Sequence, residues 1–145
     1  MLLKDYIPNV KKKYAKIFFS GISFDSSKVK KDNIFFAIKG NNFDGNQFIK
    51  TAIKKGAKII ISEKKNKQEK NIINLHNPNV RKLLSEVSYK IFNKKPKKLV
   101  AVTGTNGKSS VADFYYQILK ANKKRVASVG TIGVRFQNIK RNIYI

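Results

Sequence analysis

A chain of 145 residues suits one ordinary domain or two small ones, and its 41% hydrophobic content is enough for a buried core. The absence of cysteine excludes a disulfide framework, a thiolate metal site and a cysteine nucleophile. The formal charge of +24 raises nucleic-acid binding, but 28 of the 32 basic residues are lysines scattered along the chain. Nucleic-acid recognition favours arginine forks gathered on one face, so a solvated lysine-rich surface is expected, attracting polyanions only in a weak, salt-dependent way.

The first sixteen residues are interrupted by Lys4, Asp5 and Lys11-Lys12-Lys13, too polar for a signal peptide. No run of 18 apolar residues follows, and a soluble cytoplasmic protein with no membrane partner is expected. Ile34–Ile38 is a continuous apolar run, predicting a buried strand that ends at Lys39-Gly40. Asp44-Gly45 predicts a tight turn. From Gln47 the residues Phe48, Ile49, Ala52 and Ile53 keep helical spacing, and Gly56 is placed to end that helix. Ala57–Ile61 predicts a second buried strand, Lys64–Lys70 a charged loop, and Ile72–Leu75 a short strand. Asn77-Pro78 is expected to cap and open a helix whose stripe is Val80, Leu83, Leu84, Val87 and Ile91. The lone His76 sits in the preceding loop with no carboxylate or second histidine nearby in sequence and is given no role.

Asn93–Lys98, polar, charged and interrupted by Pro96, is the candidate linker. Beyond it Leu99–Val102 predicts a short strand, and a helix with Val111, Phe114, Tyr115, Ile118 and Leu119 as its buried face runs to about Asn122. Val126–Val129 predicts a last strand. Two strands and one helix leave a parallel α/β sheet short of strands, so the second domain is expected to be the incomplete start of a larger one.

The chemistry concentrates between the strand at Leu99 and the helix after it, in Gly104-Thr105-Asn106-Gly107-Lys108-Ser109-Ser110. A loop at a strand-to-helix junction aims backbone N–H groups and the positive helix end at phosphate oxygens. Glycines at 104 and 107 permit positive φ and close approach of an anion. Lys108 is then placed to neutralise β- and γ-phosphates, and the Ser109 hydroxyl to reach magnesium. The strict phosphate-loop pattern wants glycine where Val102 stands, so this is a shorter variant. A glycine-rich turn with an incidental lysine is the competing reading.

Val102 to Ser110 closely resembles the ATP-binding signature of the Mur ligase family, whose shortened loop also lacks that first glycine. Val111-Ala112-Asp113-Phe114 and Gly130-Thr131-Ile132-Gly133-Val134 resemble its tripeptide-forming branch. Upstream, Ser23–Val29, Asn33–Gly40, Asn41–Gly45, Phe48-Ile49, Ala52 and Gly56-Ala57 resemble the family's leading domain in order.

The resemblance implies an α/β protein: a small N-terminal α/β UDP-binding domain over residues 1–95, then the truncated start of a P-loop, Rossmann-like central ATPase domain over 96–145. It implies a monomer with ATP and Mg2+ as cofactors. The implied activity joins meso-diaminopimelate, or lysine, to UDP-N-acetylmuramoyl-L-alanyl-D-glutamate through an acyl phosphate. Phe24 and Ser26 match UDP-contacting positions, and Asn41, Asn42 and Phe43 the short loop that also touches that substrate. Gly104, Thr105, Asn106, Gly107, Lys108, Ser109 and Ser110 match the ATP loop, with Lys108 catalytic and Ser109 the metal-facing hydroxyl. Ser27 stands where the family commonly has arginine, and Asn41-Asn42 where some relatives have His-Gln. The family's remaining metal ligands and its carbamylated lysine have no counterpart in these residues, so the chain alone is expected to be inactive. The alternatives are the D-alanyl-D-alanine-adding ligase and a basic polyanion-binding module with a vestigial loop. Taken apart from the resemblance, Asp25-Ser26-Ser27 could simply cap a turn, Phe24 could be core, and Phe43 could anchor an ordinary turn.

Overall fold

In the computed structural model the chain divides into two compact units, Met1–Lys95 and Pro96–Ile145. The structure describes residues 1–40, 43–65, 71–92, 94–131 and 133–136, with the backbone of 139–141. Asn41, Asn42, most of the predicted 64–70 loop, Asn93 and Ile132 lie outside the described residues.

The first unit is an α/β layer structure on four parallel strands, β1 (Gly21–Ser23), β2 (Asn33–Ala37), β3 (Ala57–Ser62) and β4 (Ile73–His76), in the order β1-β2-β3-β4. Every residue of β2 is buried, as a strand covered on both faces requires. Its side chains alternate: Ile34 and Phe36 enter a cluster with Ile59, Ile61, Leu3, Phe19 and helix α3 (Val80–Ile91). Phe35 and Ala37 enter a second cluster with Ile60, Val29 and Ala52 of helix α2 (Ile49–Lys54). Ala57 joins Ile60 on that second face although an even strand would place it with Ile59 and Ile61. The register explains this. Asn33 pairs with Ala57 but Ile34 pairs with Ile59, so Lys58 is an extra residue that flips the alternation.

The strand at Ile34, the helix ending before Gly56 and the strand from Ala57 form where the periodicity places them. A 3₁₀ turn over Gly45–Phe48 precedes α2. A short helix α1 (Leu3–Tyr6) buries Leu3 against the first cluster. The cap of α3 is Asn79, not Asn77: its side chain accepts from Lys82 N at 2.9 Å. Asn77 instead accepts from Asn79 N at 2.8 Å, folding the approach through Pro78. The backbone decides between the two asparagines: Asn79 is itself non-helical, with φ −138° and ψ 78°, so Val80 is the first helical residue. His76 ends β4 and does not lie in a loop; it is exposed.

The second unit contains helix α4 (Lys108–Ala121) and strands β5 (Ala127–Gly130), β6 (Gly133–Phe136) and β7 (Ile139–Arg141). These strands form an antiparallel meander. Two expectations are corrected here. Leu99–Val102 is not in a strand, and Leu99 and Val100 are exposed; the predicted strand has no pairing partner among the described residues. The predicted buried face of α4 is largely open: Val111, Phe114, Tyr115 and Ile118 are exposed, Leu119 is half-buried, and Tyr116 is the residue that packs. The meander reaches α4 from the side carrying Asp113 and Tyr116, where Arg135 of β6 pairs with Asp113 and lies 4.8 Å from the Tyr116 ring.

Candidate functional sites

In parallel sheets ligands gather outside the carboxyl ends of the strands, where loops leave the scaffold. Phe24 follows β1 directly and is 66% exposed, which rules out the core reading for that residue. Asp25 then caps the 3₁₀ turn Ser26–Lys28, accepting from Ser27 N at 2.8 Å and from Ser27 Oγ at 2.7 Å. The Ser27 hydroxyl and amide, with Lys28, hold the Asp25 carboxyl below its ordinary value. Asp25 and Ser27 thus shape the turn that carries Phe24 and the half-buried Ser26. Lys55 Nζ donates to Ser27 O at 2.8 Å, tying the turn to the end of α2.

At the end of β2 the chain forms a closed loop. Lys39 and Asp44 are bridged, Gly40 N donates to Phe43 O at 2.8 Å, and Gly45 N donates to Ile38 O at 2.9 Å. A Cβ on Gly45 would fall 2.6 Å from Ile38 O and 2.7 Å from Ile38 N, so only glycine permits this closure. Phe43 is 72% exposed. Two basic side chains from other elements hold the loop: Lys64, just past β3, pairs with Asp44 at 3.0 Å, and Arg81 of α3 reaches Lys39 O at 3.4 Å. Sequence reasoning assigned neither a role, since both lie far from the loop in the chain. The carboxyl edge therefore carries Phe24, Ser26 and the base of the 39–44 loop, while its two asparagines lie outside the described residues.

In the second unit Thr103–Ser110 is exposed along its whole length and runs into the first turn of α4. Gly104 and Gly107 have φ of +144° and +75°. A Cβ on Gly107 would meet nothing within 4 Å, so that glycine answers to backbone conformation and not to crowding. As N-cap, Gly107 offers no capping side chain. The first-turn N–H groups of a helix have no intrahelical partners and, uncapped, face outward with the positive end of the helix dipole. Lys108 Nζ donates to the carbonyls of Gly104 and, at 2.7 Å, of Thr105, so its ammonium lies over the loop. Ser109 Oγ lies 3.4 Å from Thr131 Oγ1 in the β5–β6 turn. Uncapped N–H groups, glycine backbone and an ammonium over one open loop make a donor set that fits a polyphosphate. Among the described residues no three His, Asp or Glu side chains come together as a metal cage.

The family model "Mur ligase family, catalytic domain" matches residues 18–108, and "Mur ligase middle domain" matches residues 102–144. The chain belongs to the Mur ligase family. The UDP-N-acetylmuramoyl-L-alanyl-D-glutamate--2,6-diaminopimelate ligase of Rickettsia prowazekii is 46% identical over 114 residues, covering 79% of this chain and 24% of that protein. Its namesake in Rickettsia conorii is 45% identical over 129 residues, covering 87% of this chain and 26% of that protein. A solved ligase of the same name superposes with a TM-score of 0.74 at 25% identity, covering 97% of this chain and 29% of its own. The MurF ligase of Thermotoga maritima in complex with ADP gives 0.54 at 30% identity, over 72% of this chain and 23% of its own. The chain thus spans about a quarter of the length of the Mur ligases it matches. The α/β fold read from the sequence is the Mur ligase fold of these neighbours. Among the described residues no helix is long and apolar enough to cross a membrane.

Proposed function

We propose that this chain supplies the sugar-nucleotide-binding unit and the ATP phosphate loop of a cytoplasmic, monomeric ligase that joins 2,6-diaminopimelate to UDP-N-acetylmuramoyl-L-alanyl-D-glutamate. The observation that carries the reading is the open, glycine-hinged loop over Gly104–Lys108, set at an uncapped helix start in a Mur ligase family chain. The shared name of the Rickettsia relatives supports diaminopimelate as the incoming amino acid, and the ADP complex of the Thermotoga neighbour supports a nucleotide at this loop.

In this reading residues 1–95 bind the UDP end of the substrate, with Phe24, Ser26 and Phe43 at the carboxyl edge of the sheet and Asn41 and Asn42 contributing as the resemblance implies. Exposed Phe24 and Phe43 offer aromatic faces to the uracil ring and sugar. Residues 96–145 hold the triphosphate. Backbone N–H groups at the start of α4 donate to the β- and γ-phosphate oxygens, and Lys108 turns from the Gly104 and Thr105 carbonyls to neutralise their charge. Bound magnesium, reached by Ser109, would spread the triphosphate charge so that a substrate carboxylate can be phosphorylated. Amide formation then needs groups carried by the remaining three quarters of the relatives' length. The 145 residues are therefore expected to bind and not to turn over.

Calorimetric titration of the chain with UDP-N-acetylmuramoyl-L-alanyl-D-glutamate and with ATP tests this. Saturable binding of both at physiological salt is expected. Salt-dependent retention on nucleic acid with no binding of either would overturn the reading in favour of a basic binding module. Tripeptide product from ATP, amino acid and dipeptide nucleotide would overturn the claim of inactivity.

A further inference from the structure

A serine hydroxyl that ligates a divalent cation directs a lone pair at the metal, and its proton must then be accepted elsewhere. Beside Ser109 stands the Thr131 hydroxyl, at 3.4 Å, which can accept a hydrogen bond from it. The two residues are 22 positions apart, so the encounter is made by tertiary packing. Thr131 immediately follows β5, and β6, which leaves the same turn, is anchored on α4 by the Arg135–Asp113 ion pair and by Arg135 over Tyr116. Asp113 lies one helical turn beyond Ser109 on the same side of α4. The β5–β6 turn is thus held against the first turn of α4 by contacts that do not involve the phosphate loop. The 3.4 Å separation is longer than a formed hydroxyl–hydroxyl hydrogen bond, and a rotamer adjustment of either side chain brings the pair into range.

We infer that Thr131 is a positioning residue for the metal-facing hydroxyl: its Oγ1 accepts a hydrogen bond from the Ser109 hydroxyl and leaves the Ser109 lone pairs aimed at the magnesium of Mg-ATP. This rests on the phosphate-loop reading above. Thr131 touches neither nucleotide nor metal and acts through Ser109, so its contribution is confined to the metal-bound form of the nucleotide.

The test is calorimetric titration of the full 145-residue chain with ATP, once in excess MgCl2 and once in EDTA. Unaltered chain is expected to bind more tightly with magnesium. Thr131→Val, nearly the same shape without the hydroxyl, is expected to lose about fivefold of the magnesium-dependent gain, the factor that one ordinary hydrogen bond supplies. Its affinity in EDTA should stay within about twofold, and Thr131→Ser should keep the full gain. If Thr131→Val matches the unaltered chain in both buffers, the positioning role is wrong. Equal loss in both buffers also overturns it, because that is the signature of a merely structural residue. Failure of the unaltered chain to bind ATP in either buffer would instead remove the phosphate-loop reading, and this inference with it.

Discussion

Lys64 Nζ and Asp44 Oδ2, twenty residues apart in the chain, lie 3.0 Å from each other and fasten the 39–44 loop to the end of the neighbouring strand β3. Asp44 has a second task, accepting from Asn46 N at 2.9 Å to cap the turn that leads into α2. One carboxylate thus sets both the loop's exit and its attachment.

The Asn46 side-chain amide, the Asn46 backbone N–H and Lys64 together hold the Asp44 carboxyl from its ordinary 3.8 down to about 2. Because the folded value lies below the unfolded one, the carboxylate favours the folded state fully above pH 3.8. That contribution fades as the pH falls toward 2. A carbon-detected NMR titration should give Asp44 a midpoint near 2. Asp44→Asn should remove part of the acid limb of unfolding and weaken binding of the UDP-sugar substrate. An ordinary carboxylate midpoint would mean that the loop is not closed in this way.

Lys108 gives a sharper test of the second unit. Its ammonium lies over the Gly104 and Thr105 carbonyls and reaches phosphate only by exchanging those partners. Removing a charge-assisted contact costs about 1.5–3 kcal/mol, so Lys108→Ala should weaken ATP binding roughly ten- to hundredfold while leaving UDP-sugar binding unchanged. Fluorescence titrations with the two ligands on the same preparation separate these effects. A parallel loss of both affinities would argue for misfolding and against a phosphate contact.

What could be read from the sequence follows the kind of signal that each element carries. Ile34–Ala37 and Ile59–Ile61 are recognisable because strands covered on both faces must be apolar, and Lys58 interrupts the second run only where the register slips. The stripe of α3 is equally plain, yet Asn77 and Asn79 are chemically equivalent caps in sequence, and only the non-helical backbone at Asn79 distinguishes them. The Gly104–Ser110 loop was recognisable because its chemistry is local. Lys64, Arg81 and Thr131 were not, since each meets its partner only through tertiary contact. The motif Gly130–Gly133 marked the position of Thr131 without indicating a task for it.

The two-faced burial of β2 predicts where the first unit is most easily broken. Phe36 is completely buried among Ile59, Ile61 and α3, and truncation there leaves a large cavity in the first cluster. Phe36→Ala should cost about 3–5 kcal/mol, a large share of what a domain of this size has to lose. Phe24→Ala, at an exposed position, should change stability by less than about 0.5 kcal/mol and act on substrate affinity instead. Urea unfolding of both variants, followed by the far-UV signal, checks the pair of expectations.

Helix α4 offers the reverse case, a strongly apolar stripe that contributes little to folding of the unit as it stands. Phe114 is 63% and Ile118 60% exposed, while Tyr116 is 5% exposed and lies under the Arg135 guanidinium. Hydrophobic periodicity assigns the burial to the wrong side because it reports which side chains are apolar, not which side a neighbouring strand approaches. Phe114→Gln and Ile118→Gln should each shift stability by no more than about 0.5 kcal/mol, and should lower self-association by removing exposed apolar surface. Tyr116→Ala should cost about 3 kcal/mol, since it removes a buried ring together with its cation–π contact. Thermal unfolding and analytical ultracentrifugation of the three variants decide the matter. If Phe114→Gln destabilises the chain as much as Tyr116→Ala, the stripe on α4 is buried after all, and the meander packs on the other side of the helix.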